Sequence, residues 1–111
     1  SAAGPVERAR WARIEGITYQ PNRDARVWYW PIVSVPASAG PGVISFYKAS
    51  TGLMGSPSDI ARIMFHETQH VPAGAHPGVT YEQAADHRAR HLLKRYGLDG
   101  GGCMQGSFVG C

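Results

Sequence analysis

The sequence predicts a small α+β domain, because strand-like and helix-like patterns occupy different parts of the chain. Short runs rich in β-branched and aromatic residues lie between positions 17 and 48, and two longer segments with helical start and stop signals lie between positions 57 and 96. The 111 residues suit one domain with a modest core, so we expect a single domain over residues 1–111. We predict a small twisted, largely antiparallel sheet packed on two helices.

Composition limits the class of protein. Hydrophobic residues make up 43% of the chain and charged residues 17%, proportions that fit a globular domain and argue against disorder. No run approaches the roughly 18 apolar residues of a membrane-spanning helix, and residues 1–5 are not a signal peptide. We therefore expect no membrane span. If the protein leaves its cell, we expect it to do so after removal of a leader or as the end of a larger secreted chain.

The charge of the chain does not indicate a nucleic-acid partner. The formal charge is only +3, and four basic residues cluster near the end of the last predicted helix: Arg88, Arg90, Lys94 and Arg95. Cations at a helix C-terminus complement the helix macrodipole, whereas nucleic-acid binders usually carry a longer basic stripe. We therefore expect no nucleic-acid partner, and a nucleic-acid hydrolase stays only as a third hypothesis.

One short helix and three strands are predicted in the first half of the chain. The segment 5–14 predicts a helix that Gly16 ends, with Arg10 in solvent. The predicted strands are 17–19, 27–35 and 43–48. The segment 36–42 reads Pro-Ala-Ser-Ala-Gly-Pro-Gly and predicts a loop. The short connection suggests that the last two strands are antiparallel neighbours.

Two helices with clear boundary signals follow. A serine cap followed by proline predicts a helix over about 57–71. Thr80 and Gln83 match a capping box, which predicts a second helix that runs to Tyr96 and ends at Gly97. These two helices carry the residues with the clearest chemistry.

The remaining residues, 98–111, form a glycine-rich tail that we expect to be extended. Both cysteines of the chain, Cys103 and Cys111, lie in it. Their spacing allows a disulfide in an oxidising compartment. Two thiols alone are too few for a structural zinc site.

The first of the two helices carries His-Glu-x-x-His at residues 66–70. His66 and His70 lie one helical turn apart on the same face, so both imidazoles can bind one metal ion. Glu67 lies beside that face, where its carboxylate can reach a metal-bound water without being a ligand. This is the arrangement of zinc peptidases. The motif therefore predicts a Zn²⁺ site with His66 and His70 as ligands and Glu67 as the general base.

A catalytic zinc ion usually has three protein ligands, so one more is needed. Glu82 and Asp86 lie four residues apart on the second helix and face the same way. Glu82 is therefore the predicted third ligand, and Asp86 the predicted acceptor for the far ring N–H of a ligating histidine. His76 is the alternative third ligand, because it follows His70 by the six residues found in three-histidine zinc sites.

Taken together, His66-Glu67-Thr68-Gln69-His70 and the downstream Glu82-Gln83-Ala84-Ala85-Asp86 resemble the gluzincin metallopeptidases, in which a later helix supplies Glu-x-x-x-Asp. The resemblance covers about residues 56–96. The short interval between the two motifs is similar to that of the compact metallopeptidase domains at the C-termini of bacterial polymorphic toxins, including Rhs-type and type VI secretion effectors. The resemblance implies a minimal zincin-like fold with zinc bound by His66, His70 and Glu82.

By the same resemblance we expect hydrolysis of peptide bonds, with a protein or peptide substrate and a cognate immunity protein as a second partner. It also implies secretion or delivery into a target cell as part of a larger chain. The strand 43–48, if it lies at the sheet edge, is expected to bind an extended peptide. Tyr47 and Tyr81 are candidate donors to the developing oxyanion. The alternatives are a metzincin-like peptidase that uses His76 and a non-catalytic module that zinc only stabilises.

Overall fold

The computed structural model describes residues 4–26 and 34–97. Its elements in chain order are α1 (Pro5–Ala12), β1 (Gly16–Gln20), β2 (Ala37–Gly40), β3 (Val43–Tyr47), a 3₁₀ helix (Lys48–Leu53), α2 (Pro57–Gln69) and α3 (Glu82–Arg95). Helices on a small sheet confirm the predicted α+β class. Within these residues, no helix is long and apolar enough to cross a membrane.

The sheet is mixed, with strand order β1-β3-β2. β1 pairs with β3 in parallel, and β2 pairs with β3 in antiparallel. The predicted antiparallel character therefore holds for only one of the two strand pairs. β3 is the central strand of the three, and its Ile44 and Phe46 lie on one face of the sheet, where both are buried in the core. The expectation that the strand 43–48 binds a peptide as an edge strand is thus not met; among the described strands, β1 and β2 form the edges.

β2 lies where composition predicted a loop. Ala37 pairs with Phe46 and Gly40 with Val43, so a two-residue turn joins the strands. Gly42 in that turn has φ +75°, a conformation that glycine adopts without strain. The small residues of β2 have little intrinsic strand preference, and cross-strand pairing decides their conformation instead.

The core lies between the sheet and α2. Its buried members are Ala37, Ile44, Phe46 and Ile63, and partly buried hydrophobic residues pack around them. On the other side of α2 lies α3, whose Ala85 and Ala89 are fully buried. Small side chains at that contact let the two helix backbones approach closely. The acidic residues at the start of α3 are thereby brought to the histidines of α2.

The boundaries of the two long helices follow most of the sequence signals. Ser56 occupies the N-cap position of α2, and Gly97 follows α3 with φ +72°. The predicted capping box does not form, because the N-cap of α3 is Tyr81 and no side chain caps that helix. The backbone N–H of Val79 is bound to the Gln69 carbonyl at 2.8 Å. This contact keeps Val79, three residues before the start of α3, out of the helix.

α1 packs on the end of α2 through aromatic and polar contacts. Phe65 lies edge-on to Trp11 at 5.5 Å and stacks on Tyr96 at 5.6 Å, which joins the three helices. Arg10 was expected in solvent but is only 3% exposed. Its guanidinium is buried because it binds backbone carbonyls beyond the end of α2.

Several predictions concern residues outside the described ranges. They include residues 27–33 of the predicted strand 27–35. Arg26, just before that strand, and Ser34, within it, form an isolated antiparallel bridge. The tail 98–111, with Cys103 and Cys111, also lies outside the described residues.

Candidate metal centre

The two histidines of the motif lie on adjacent turns at the C-terminal end of α2. Their ring centroids are 5.2 Å apart, with the ring planes at 69°. His66 is buried and His70, the C-cap residue of α2, is half-buried. The two rings therefore lie at the edge of the core, where one side of each remains within reach of a ligand.

Glu82 at the start of α3 lies against both rings. Its Oε2 atom is 2.6 Å from Nε2 of His66, and its Oε1 atom is 3.2 Å from Nε2 of His70. In each histidine it is therefore the Nε2 atom that faces the Glu82 carboxylate. The predicted third ligand stands next to the predicted first and second ligands, as the helix-face argument required.

The spacing of these atoms fits a tetrahedral metal ion. Ligands at about 2.0–2.1 Å from zinc lie about 3.3 Å from one another. The His70–Glu82 separation of 3.2 Å is close to that value, whereas the His66–Glu82 separation of 2.6 Å would have to open slightly. Glu82 can make this adjustment because its side chain is 35% exposed.

Glu67 offers a second way to complete the set. Ligand atoms of His66, Glu67 and His70 all lie within 4.8 Å of one another. The nearest Glu67 oxygen, however, is 4.0 Å from Nε2 of His66, farther than the oxygen of Glu82. We therefore favour Glu82 as the ligand, and the longer distance leaves space for a water molecule between Glu67 and a metal.

The far side of the His70 ring is fixed by the main chain. Its Nδ1–H donates to the carbonyl of Val79, in the segment that precedes α3. A neutral imidazole that donates through Nδ1 has its lone pair on Nε2. This contact therefore leaves Nε2, the atom that faces Glu82, able to bind a metal. A backbone carbonyl in this role is a common feature of histidine metal sites.

The far side of the His66 ring faces Asp86. Nδ1 of His66 lies 3.6 Å from Oδ1 of Asp86, and this buried nitrogen has no hydrogen-bond partner among the described residues. The predicted acceptor is thus beside the ring, but at a separation longer than a hydrogen bond. A shift of less than 1 Å would bring the two atoms to hydrogen-bond distance.

Asp86 itself is fully buried between two arginines. Arg62 contacts both of its oxygens, with Nη2 at 2.8 Å and Nε at 3.2 Å, and Nε of Arg90 lies 2.9 Å away. Burial alone would raise the pKa of Asp86, but contacts with His66 and the two arginines hold the pKa well below its usual range. The carboxylate is therefore ionised beside His66.

Contacts between the two histidines and the carboxylates of Glu82 and Asp86 favour the negative form of these carboxylates and the positive form of the imidazoles. Burial opposes the charged form of His66, yet Asp86 and Glu82 outweigh it and raise the pKa of His66 to about 9. Burial likewise opposes ionisation of Glu82, but the two histidines lower its pKa to about 2. Burial raises the pKa of Glu67. A carboxylate with a raised pKa is a stronger base than one in water.

The alternative ligand lies elsewhere. His76 is exposed in a turn, where its backbone N–H donates to the Ala73 carbonyl at 2.9 Å. It lies outside the cluster of His66, Glu67 and His70 found among the described residues. Glu82 is also outside that cluster, and its candidacy rests on its distances to both rings. Of the two tyrosines suggested as oxyanion donors, Tyr47 is buried with its hydroxyl 2.6 Å from that of Ser38, and Tyr81 is 78% exposed.

An open cleft of about 760 Å³ has one of the candidate ligands, His70, in its lining. It runs between the end of α1 and the hairpin of β2 and β3. The lining includes Arg13, Glu15, Ala39, Gly40, His70 and Pro72. Ala39 and Gly40 belong to β2, an edge strand among the described strands, so this edge strand and a candidate metal ligand line the same cleft.

Three contributors to the site were not found from the sequence. Val79 acts through its backbone carbonyl, which every residue type has. Arg10, which donates to the carbonyl of Gln69 directly before His70, lies far from the motif in the chain. Arg62 did leave a signal, because it lies four residues before His66 and shares its helix face.

Comparisons of the chain with models of known protein families, with curated proteins and with solved structures found no match.

Proposed function

We propose that the protein is a zinc-dependent metallopeptidase in which His66, His70 and Glu82 bind the metal and Glu67 is the general base. The observation that carries the proposal is the convergence of both Nε2 atoms on the Glu82 carboxylate, at 2.6 and 3.2 Å. The donor set of two imidazoles and one carboxylate is that of hydrolytic zinc sites. Glu67, 4.0 Å from Nε2 of His66, is close enough to act on a water at the same centre.

Zinc bound by these residues would polarise the scissile carbonyl and lower the pKa of a bound water to about 7. Glu67 accepts the proton of the attacking water and delivers it to the leaving amine. The side chain of Glu67 is only 9% exposed, and the raised pKa that burial gives its carboxylate favours proton acceptance. The Val79 carbonyl orients His70, and Asp86 lies behind His66.

The substrate would bind along β2. An extended peptide can add to an unpaired strand edge through main-chain hydrogen bonds. Ala39 and Gly40 of β2 line the cleft, and the single methyl group of Ala39 and the absence of a side chain at Gly40 leave room for a substrate backbone. We therefore move the expected peptide site from the central strand β3 to the edge strand β2. Delivery into a target cell and a cognate immunity protein rest on the sequence resemblance to toxin domains alone.

The decisive experiment compares Glu67→Gln with the unchanged protein for zinc content and peptide hydrolysis. The variant should retain zinc and lose about 10²–10⁴-fold in hydrolysis rate, the usual contribution of a general base. Asp59→Asn, the same type of change at the other end of α2, is the matched control and should leave both properties unchanged. Full hydrolysis by Glu67→Gln would refute the proposal.

The ligand set is tested separately by alanine variants. Glu82→Ala should weaken zinc binding and abolish hydrolysis, whereas His76→Ala should affect neither. The opposite pattern would transfer the third ligand to His76 and favour the metzincin-like alternative.

A zinc ion that only stabilises the fold is the second candidate. It is favoured by one observation, the contact of Glu82 on α3 with both histidines of α2, because a metal there would cross-link the two helices. In that case zinc would raise the melting temperature, while the unchanged protein would cleave none of a diverse peptide library. The Glu67→Gln variant would then behave like the unchanged protein in every assay.

A further inference from the structure

The guanidinium of Arg10 is buried beyond the C-terminal end of α2. Its Nη1 atom donates to the Gln69 carbonyl at 2.7 Å and to the Val71 carbonyl at 2.8 Å. Its Nη2 atom lies 3.4 Å from the Pro77 carbonyl. The last carbonyls of a helix have no partners within the helix. Arg10 therefore supplies donors to the place where α2 ends and the following loop begins.

From this contact a chain of hydrogen bonds leads to His70. The Gln69 carbonyl accepts a second bond, from the backbone N–H of Val79 at 2.8 Å. The Val79 carbonyl in turn accepts the Nδ1–H of His70. Arg10 and Val79 thus share one acceptor, and Val79 holds the ring whose other nitrogen faces Glu82.

Gly78 shows how tightly the loop lies on the helix end. A Cβ atom at this position would lie 2.0 Å from the carbonyl oxygen of His70 and 2.7 Å from its carbonyl carbon. No side chain fits there without displacement of the backbone. Any movement of the segment 77–79 away from α2 would therefore carry the acceptor of the His70 ring with it.

α1 also holds the side chain of Gln69. The Nε2 atom of Gln69 donates to both carboxylate oxygens of Glu7 at 3.0 Å, and Nε1 of Trp11 donates to one of them at 2.9 Å. Glu7 and Gln69 are both buried. Helix α1 thus binds the main chain and the side chain of the residue directly before His70.

We propose that Arg10 is a positioning residue for His70. By ordering the Gln69 carbonyl, it keeps the Val79 carbonyl on Nδ1–H of His70. The Nε2 atom of the ring then stays directed at the metal position. The inference rests on the proposed function where it concerns zinc affinity, because that readout requires His70 to be a ligand. The orientation of the ring can be measured whether or not the protein is a peptidase.

The test uses Arg10→Met and Arg10→Lys with two readouts. Nitrogen-15 NMR of the metal-free protein at alkaline pH, where the imidazoles are neutral, reports which ring nitrogen is protonated, and competition with a chromogenic chelator gives the zinc Kd. In Arg10→Met we expect the His70 Nδ1–H signature to be lost while that of His66 is unchanged, and zinc binding to weaken about 10-fold or more. Arg10→Lys should recover part of both, since an ammonium group still donates to the carbonyls.

Two control variants separate positioning from general stability. Arg95→Met removes an exposed arginine, and Ile44→Val weakens the core on the other side of α2. Both should keep the His70 signature and a zinc Kd within about twofold, because distant sites act independently. If Arg10→Met does not fold, Gly78→Ala is expected to cause the same two changes by displacing the loop.

An unchanged His70 signature with an unchanged zinc Kd in folded Arg10→Met or Gly78→Ala would overturn the proposal. Equal loss of the His66 and His70 signatures would also overturn it, since that result describes general loosening of the site. If the unchanged protein binds no zinc, the proposed function fails, and the NMR comparison still decides whether Arg10 orients His70.

Discussion

The buried ion pair between α2 and α3 gives the sharpest stability prediction. Arg62 and Asp86 are both fully buried and are joined by contacts of 2.8 and 3.2 Å. Removal of one partner of such a pair costs about 3–5 kcal/mol, because the other charge stays out of water. Asp86→Asn keeps one carbonyl acceptor, so we expect a loss at the lower end, about 3 kcal/mol.

Urea denaturation at neutral pH, in the presence of a chelator, measures this loss without interference from metal binding. Asp59→Asn, in the first turn of α2, the helix that carries Arg62, is the control and should cost no more than about 1 kcal/mol of helix-dipole interaction. A loss below about 1 kcal/mol for Asp86→Asn would refute the reasoning, since the pair would then contribute no more than a surface contact.

The same pair predicts how stability depends on pH. The pKa of Asp86 is lowered in the folded protein, so its contribution is fully present above the unfolded-state pKa of about 3.9. That contribution is lost as the pH falls below this value toward the lowered pKa. The loss of stability on acidification should therefore be smaller in Asp86→Asn than in the unchanged protein. Equal acid sensitivity of the two proteins would contradict the assignment.

Zinc binding at neutral pH should release protons, because the pKa of His66 is raised to about 9 and a ligating imidazole must be neutral. Calorimetry in buffers of different ionisation enthalpy measures the release, and zinc affinity should fall as the pH is lowered. Removal of zinc by a chelator should lower the melting temperature, since zinc at 100 times its Kd stabilises the folded state by about 2.7 kcal/mol. In the core, Ile44→Ala should cost about 2–5 kcal/mol in urea denaturation. Ile17→Ala, at a side chain 56% exposed, should cost much less.

The sequence was most informative where local chemistry and local geometry coincide. His66 and His70 are predicted on one helix face by spacing alone, and Glu82 on a second helix by the same rule. Whether those two faces meet depends on how α3 packs on α2. The fully buried Ala85 and Ala89 make that contact close, and small residues at this spacing were visible in the sequence.

The remaining parts of the fold depend on contacts between distant residues. β2 consists of small residues with little strand preference, and it is a strand only because β3 pairs with it. Parallel pairing of β1 with β3 has no local signature in the sequence, since side chains alternate between the two faces in the same way in parallel and antiparallel pairs. The burial of Arg10 depends on the carbonyls at the end of α2, which no composition rule reveals.

The two helix ends that meet at the centre add an electrostatic reason for this choice of ligands. The C-terminal end of a helix carries partial negative charge and favours a cation, and the N-terminal end favours an anion. His66 and His70 lie at the C-terminal end of α2, and Glu82 is the first residue of α3. A metal ion between them would therefore lie at the negative pole of one helix, while its carboxylate ligand lies at the positive pole of the other. The position of Glu82 at the start of α3 adds to the effect of the two histidines and favours the ionised carboxylate, which is the form that a metal ligand must have.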